Sequence, residues 1–214
     1  RAGDEEQAVI TLGSALERTT DQDVVYRALG KLWLDRARVQ HEDRVYLSKA
    51  IEALGPAAER PGATSDLLTL YGEALLLDGQ VPAAERVFQQ ATTRYPISPG
   101  ALPLYAAAAE RQSHLDVARQ ALVAYTGLAA EDSDQAPTAV HIAALSVSLG
   151  DPATAVKWLL RATALAPGDV AMLAALADAQ IRVGQSAEAR ATIARGLERD
   201  PSHPALLALT KRIP

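Results

Sequence analysis

The residues able to do chemistry are few and scattered. His41, His114, His141 and His203 lie far apart, with no i, i+4 pair and no H-E-x-x-H stretch to set two imidazoles on one helical face for zinc. Each reads as a surface or loop histidine. The acidic run "EDSD" at 131–134 lacks the Gly and the distal Glu of a calcium loop, and reads as a solvated loop. The glycines form no G-x-x-x-x-G-K phosphate cradle. With no Cys there is no thiolate nucleophile, thiolate metal site or disulfide, and because both cytoplasmic and periplasmic proteins can lack Cys the compartment stays open. The sequence therefore gives no catalytic residue, no cofactor and no metal site.

Other partner classes follow from charge and hydropathy. The net charge is −5, with Lys/Arg and Asp/Glu intermixed, so no basic stripe exists to neutralise a phosphate backbone and nucleic acid is not expected. The longest apolar runs, such as "ALPLYAAAA" at 101–109, fall far short of the roughly 20 residues that span a bilayer, so membrane insertion is not expected either. The opening "RAGDEEQ" has no initiator Met and no hydrophobic signal core, which predicts that the natural N-terminus lies upstream.

The elements that must position any functional side chain are helices. The 214 residues allow one elongated unit or two small domains; Ala dominates, aromatics are 4%, and Val and Ile form no alternating runs, which favours helix over sheet. Gly72 and Ala106 are 34 residues apart, as are Ala84 and Ala118, Ala143 and Ala177, Gly150 and Gly184, Ala155 and Ala189, and Pro167 and Pro201. Pro96 to Pro167 is 71, twice 34 plus three, which places an insertion near Ser133, Asp134 and Gln135. Within one period the pattern predicts a helix from Ser65 to about Asp78 and another from Val81 to about Arg94. Gly79 supplies the turn, Pro82 suits the first turn of the second helix, and Pro96 stops it. Leu68, Tyr71, Gly72 and Leu75 share one face of the first helix and Ala84 and Phe88 one face of the second, so that a small residue opposes a large one.

This order of residues resembles the tetratricopeptide repeat (TPR) family. The third unit reads Leu68, Tyr71, Gly72, Leu75, Gly79, Ala84, Phe88, Ala91, Pro96; the fifth Ala139, Ile142, Ala143, Ser146, Gly150, Ala155, Leu159, Ala162, Pro167; the sixth Leu173, Leu176, Ala177, Gln180, Gly184, Ala189, Ile193, Gly196, Pro201. The fourth, with Leu102, Tyr105, Ala106, Ala109, Ala118, Leu122 and Tyr125, is weaker, Ser113 replacing the turn Gly and Ala130 the terminal Pro. The second keeps Tyr26, Leu29, Gly30 and Trp33, then Leu47 and Ala50 one residue late, and "GPAAERPG" at 55–62 is expected to interrupt helix as a loop. Ala8, Leu12 and Ala15 match a second helix without its first. The resemblance thus implies a single array over 1–214 that is a fragment of a longer protein: a half repeat (1–20), a degenerate repeat (23–57), four repeats (65–98, 99–132, 136–169, 170–203) and a capping helix (204–214).

The fold so implied is all-α, a right-handed α-solenoid of stacked antiparallel helix pairs, the TPR superhelix, in which each pair buries its apolar face on the next. The function implied is a non-enzymatic scaffold for protein-protein interaction, with the first helix of each unit lining a concave groove that holds a peptide or partner protein. The groove positions carried over are Arg27, Lys31, Leu34 and Asp35; Thr69, Leu70, Glu73 and Leu77; Leu104, Ala107, Glu110 and Arg111; Val140, His141 and Ala144; and Asp178, Ile181 and Arg182. Members that clamp a C-terminal carboxylate use a Lys/Asn/Arg set, and only Arg27 and Lys31 stand at comparable positions, so no such clamp is assigned. A lining of Leu, Val and Ala flanked by charge suits an extended segment or amphipathic helix with apolar anchors. The competing structural role for Leu70, Leu77 and Leu104 is packing between neighbouring helices, and Trp33 and Trp158 are assigned to packing. The alternative is a regulatory or substrate-presenting arm of a larger multidomain enzyme or envelope export machine; abundant Ala and Arg over Lys point to a bacterial source. Apolar faces open at the ends of such an array would also allow self-association.

Overall fold

A computed structural model describes residues 7, 10–12, 14, 22–39, 44–129 and 133–213. The expectations for Ala8, Ala15, His41 and Ala130, and for Glu131 and Asp132 of "EDSD", lie outside the described residues. Eleven helices connect the long described stretches, with no strand among them, and the chain divides into two compact units, residues 1–114 and 115–214. The first unit holds α1 (Gln22–Val39), α2 (Arg44–Ala58), α3 (Ser65–Leu77), α4 (Val81–Ala91) and α5 (Ala101–Arg111). The second holds α6 (Leu115–Leu128), α7 (Gln135–Ser148), α8 (Pro152–Leu165), α9 (Val170–Arg182), α10 (Ser186–Arg199) and α11 (Pro204–Thr210). Within each unit, sequential helices pack on one another in antiparallel pairs, the short turns leaving no other arrangement.

One turn recurs. Gly79, Gly150 and Gly184 sit at φ of +86°, +75° and +78°, and Ser113, the residue standing in for Gly, takes φ +62°. The next N–H then bonds five residues back, Gln80 to the Leu75 carbonyl (2.9 Å), His114 to Ala109 (2.8 Å), Asp151 to Ser146 (2.8 Å) and Gln185 to Gln180 (2.9 Å). This closes the last carbonyls of each first helix and turns the chain straight into the second. Downstream starts are capped where the residue allows it: Asp151 Oδ1 accepts from the Thr154 N–H (3.1 Å), and Asp169 Oδ1 from the Met172 N–H (3.0 Å).

The small-against-large pairing sets how closely helices approach. In α3/α4 a Cβ added to Gly72 would stand 2.7 Å from the Phe88 ring, and Phe88, Ala84 and Ala91 are wholly buried. Burying a side chain of Phe88's size is worth about 1.5–3 kcal/mol. In the second unit Ala155, Ala189 and Ala162 are equally buried, and a buried Thr192 Oγ1 donates to Gln180 Oε1 (2.9 Å) across α9 and α10. Gly196 lies against Leu206 of α11, whose Leu206 and Leu209 cover Ala174, Ala177 and Ile193. Trp33 and Trp158 both pack against core clusters. Trp33 also stacks on Tyr46 at 5.8 Å with Lys49 Nζ 4.6 Å over its ring.

Three sequence expectations need correction. In α1/α2 the residue facing Gly30 is Leu54, whose side chain reaches within 2.2 Å of a Cβ placed there, so the small-large-small set of α2 is Ala50, Leu54 and Ala57 and not Leu47 with Ala50. That set stands 34 residues before Ala84, Phe88 and Ala91, so α2 keeps the period and it is α1 that is displaced. Next, "GPAAERPG" is loop only in its second half: α2 runs through Pro56 to Ala58, the Glu59 N–H still bonds the Gly55 carbonyl at 3.1 Å, and the turn occupies 59–62. Pro56 removes one donor, but Leu54, Ala57 and Ala58 on its buried face hold the last turn. Finally, α4 ends at Ala91, five residues before Pro96, whereas α8 and α10 end two residues before Pro167 and Pro201. Thr92 and Thr93 hydroxyls take the Gln89 and Gln90 carbonyls (2.8 and 2.7 Å), a local bonding pattern that competes with helix.

Candidate functional site

Arg27 and Lys31 lie one turn apart on α1, exposed, and meet half-buried Leu70 of α3 across a cleft of about 480 Å³. Val24 and Ala28 complete its α1 wall; Asp66 and Thr69 its α3 wall, with Ser98 at one end. Thr69 reaches the lining only by its edge, since it is buried and its hydroxyl donates to the Ser65 carbonyl at 2.7 Å. The floor is apolar, and the rim carries two cations against one carboxylate.

The other groove residues of the first unit hold the helices together. Glu73 accepts from Nε of Arg38 at 3.1 Å and from a terminal nitrogen of the same guanidinium, which also reaches Asp35 at 2.6 Å. Leu34 is wholly buried and belongs to the core with Leu47 and Ala50, against which Leu77 also packs. Leu70 joins that cluster as well as the one around Leu54 and Leu68, and Leu104 packs against Leu75, Leu76 and Phe88. The packing role weighed for these leucines is thus real, and Leu70 lines the cleft in addition. Arg111 donates to the Leu76 carbonyl at 3.2 Å, satisfying an acceptor at the end of α3. Ala107 and Glu110 are half-buried on α5, outside the cleft.

In the second unit Ala144 of α7 meets Asp178 and Arg182 of α9 at a cleft of about 270 Å³. Its lining is otherwise apolar: Val140, Ala143 and Val147 from α7, Leu159 from α8, Ala175 and Ala179 from α9. Asp178 accepts from Arg182 Nε (2.7 Å) and from a terminal nitrogen of Arg212 (2.6 Å). Partial burial pushes the Asp178 carboxyl up, but the two guanidiniums outweigh it and hold it below the usual aspartate range. His141 is exposed on α7, one turn from Ala144 and outside this cleft; Ile181 packs toward α11.

A third cleft, about 530 Å³, went unread in the sequence. It lies at the end of α2 and against α3 and α4, where Arg60, Tyr71, Gln90 and Arg94 face one another. Burial, with the nearby Glu59 charge, raises the Tyr71 phenol above its ordinary value. The cleft's sequence signal is the apolar spacing Leu54, Ala57, Ala58, which continues α2 into the stretch 55–62. Among the described residues no group of three His, Asp or Glu could hold a metal ion, and no helix is long and apolar enough to cross a membrane.

Comparison with known proteins gives the same architecture. Residues 146–213 match the family model described as "Tetratricopeptide repeat". A solved structure of MamA is similar at 16% identity and TM-score 0.65, over 86% of this chain and 94% of that one. MamA from Desulfovibrio magneticus RS-1 is similar at 17% identity and TM-score 0.60, over 86% and 98%. YrrB, described as a TPR protein with an unusual peptide-binding site, is similar at 12% identity and TM-score 0.67, over 94% and 97%. At such identities the likeness concerns fold. No curated protein matches the chain in sequence.

Proposed function

We propose that the chain, whose residues 146–213 match the tetratricopeptide repeat model and whose fold is similar to that of YrrB and MamA, is a non-enzymatic scaffold that holds a peptide or a segment of a partner protein along the first helices of its repeats. The observation that carries the reading is the pair of clefts between successive first helices, α1/α3 in one unit and α7/α9 in the other, each with an apolar floor and a charged rim. Such a lining gives an extended or helical segment apolar anchor points and polar groups that fix its register. YrrB's described peptide-binding site supports the same class of activity on the same fold.

Exposed residues are the ones to alter, since Leu70, Leu104 and Arg111 also hold the helices. Peptides selected from a random library on the immobilised chain would be titrated against the wild type, an Arg27→Glu/Lys31→Glu variant and an Ala144→Trp variant. At least one variant is expected to lose about tenfold in affinity or more, that is ~1.4 kcal/mol. Equal affinity for all three would overturn the groove reading.

A further inference from the structure

The cleft of the second unit carries more than a place for a guest. Its floor consists of Ala143, Leu159 and Ala179, all buried, flanked by half-buried Val140 and Ala175. At its mouth one carboxylate, Asp178, is shared by two guanidiniums, Arg182 and Arg212, so the cluster holds one positive charge in excess, on a chain whose net charge is −5. A guanidinium has five N–H donors, and the bond from Arg182 to Asp178 uses the one on Nε. The terminal N–H groups of Arg182 can therefore turn to a second carboxylate while Arg212 keeps Asp178 compensated. A cationic guest meets the opposite situation, because the only acid lining this cleft among the described residues is already held on both sides.

We propose that the α7/α9 cleft takes an acidic peptide segment, an aliphatic side chain resting on the Ala143–Leu159–Ala179 floor and a neighbouring Asp or Glu carboxylate seated on Arg182. This rests on the scaffold reading above and adds the chemistry of the partner. The selectivity is electrostatic, so it weakens with salt, whereas the apolar anchor does not.

Three short synthetic peptides with identical Leu anchors and Glu, Gln or Lys at the flanking positions separate the two ideas by fluorescence anisotropy at low and high salt. The Glu peptide is expected to bind about tenfold tighter than the Lys peptide, the sum of one exposed attraction gained and one repulsion avoided. Arg182→Glu is expected to reverse that order, an outcome misfolding cannot produce, and Ala144→Trp, at an exposed position, to remove binding of all three. If the three peptides bind alike and all are lost with Ala144→Trp, the cleft holds peptides but the acidic preference is wrong. If none binds, or binding survives Ala144→Trp, both the preference and the use of this cleft are overturned.

Discussion

In α3/α4 the glycine set against a large side chain precedes it by 16 residues, Gly72 to Phe88; in α1/α2 the matching contact, Gly30 to Leu54, spans 24. Both end in the same arrangement, a Cα with no side chain pressed by a buried one. The longer pair takes up its extra residues both in α1, which runs on past Gly30 to Val39, and at the start of α2, which begins at Arg44 well before Leu54; there Leu34 and Ala37 are buried against Leu47. What the repeat preserves is the contact between helices, and the spacing varies as long as the inserted residues find apolar cover of their own.

The comparison can be broken most directly by deleting the large partners. Phe88→Ala is expected to cost about 3–5 kcal/mol and Leu54→Ala about 2–5 kcal/mol, read from urea midpoints. A Leu54→Ala loss below about 1 kcal/mol would mean that α1/α2 is held by some other contact. The small partners sharpen it. Gly30 faces its neighbour at 2.2 Å and Gly72 at 2.7 Å, so Gly30→Ala should be the more damaging, an overpacking cost of roughly 1–3 kcal/mol less about 1 kcal/mol of helix propensity regained. Ala155→Leu, at the small position of the second unit that corresponds to Ala84, should likewise lose roughly 1–3 kcal/mol.

Smaller effects come from the turns. Ser113→Gly should stabilise by about 1 kcal/mol and Gly150→Ala destabilise by a similar amount, since a Cβ at positive φ is strained although nothing crowds it. Equal melting temperatures for Ser113→Gly and wild type would show that the strain at Ser113 is relieved elsewhere. The smallest effect is on pH. Asp178 has a folded value below its unfolded one, so its stabilising contribution is complete above the ordinary aspartate pKa of about 3.9 and fades as pH falls through the lower folded value. Asp178→Asn should flatten that part of the acid limb and leave the neutral region of the pH profile unshaped; an unchanged acid limb would remove Asp178 from the account.

Much of this was legible in advance because the signals are local. The 34-residue interval, the turn at Ser113 in place of Gly, and the small-large order of α3/α4, α7/α8 and α9/α10 are all written in adjacent residues whose backbone preferences decide them. The register of α2 was not legible, because Leu47 and Leu54 are both apolar on plausible faces and only the position of Gly30 across the interface chooses between them. The site divided the same way. Arg27, Lys31 and Leu70 come together, as do Ala144, Asp178 and Arg182. Glu73 and Arg111 turned out to be tied to Arg38 and to the Leu76 carbonyl, 35 residues away in each case.

By itself the amino-acid sequence determined that this protein is a run of helix pairs, where each turn falls and which residues must be small. Those properties follow from backbone strain and from periodicity, which neighbours in the chain settle among themselves. Only the tertiary structure decided how α1 meets α2, which charged side chains are occupied in holding helices and which stand at the mouth of a cleft. Those depend on groups a full repeat apart in sequence, brought within a few ångströms by packing that no local preference encodes.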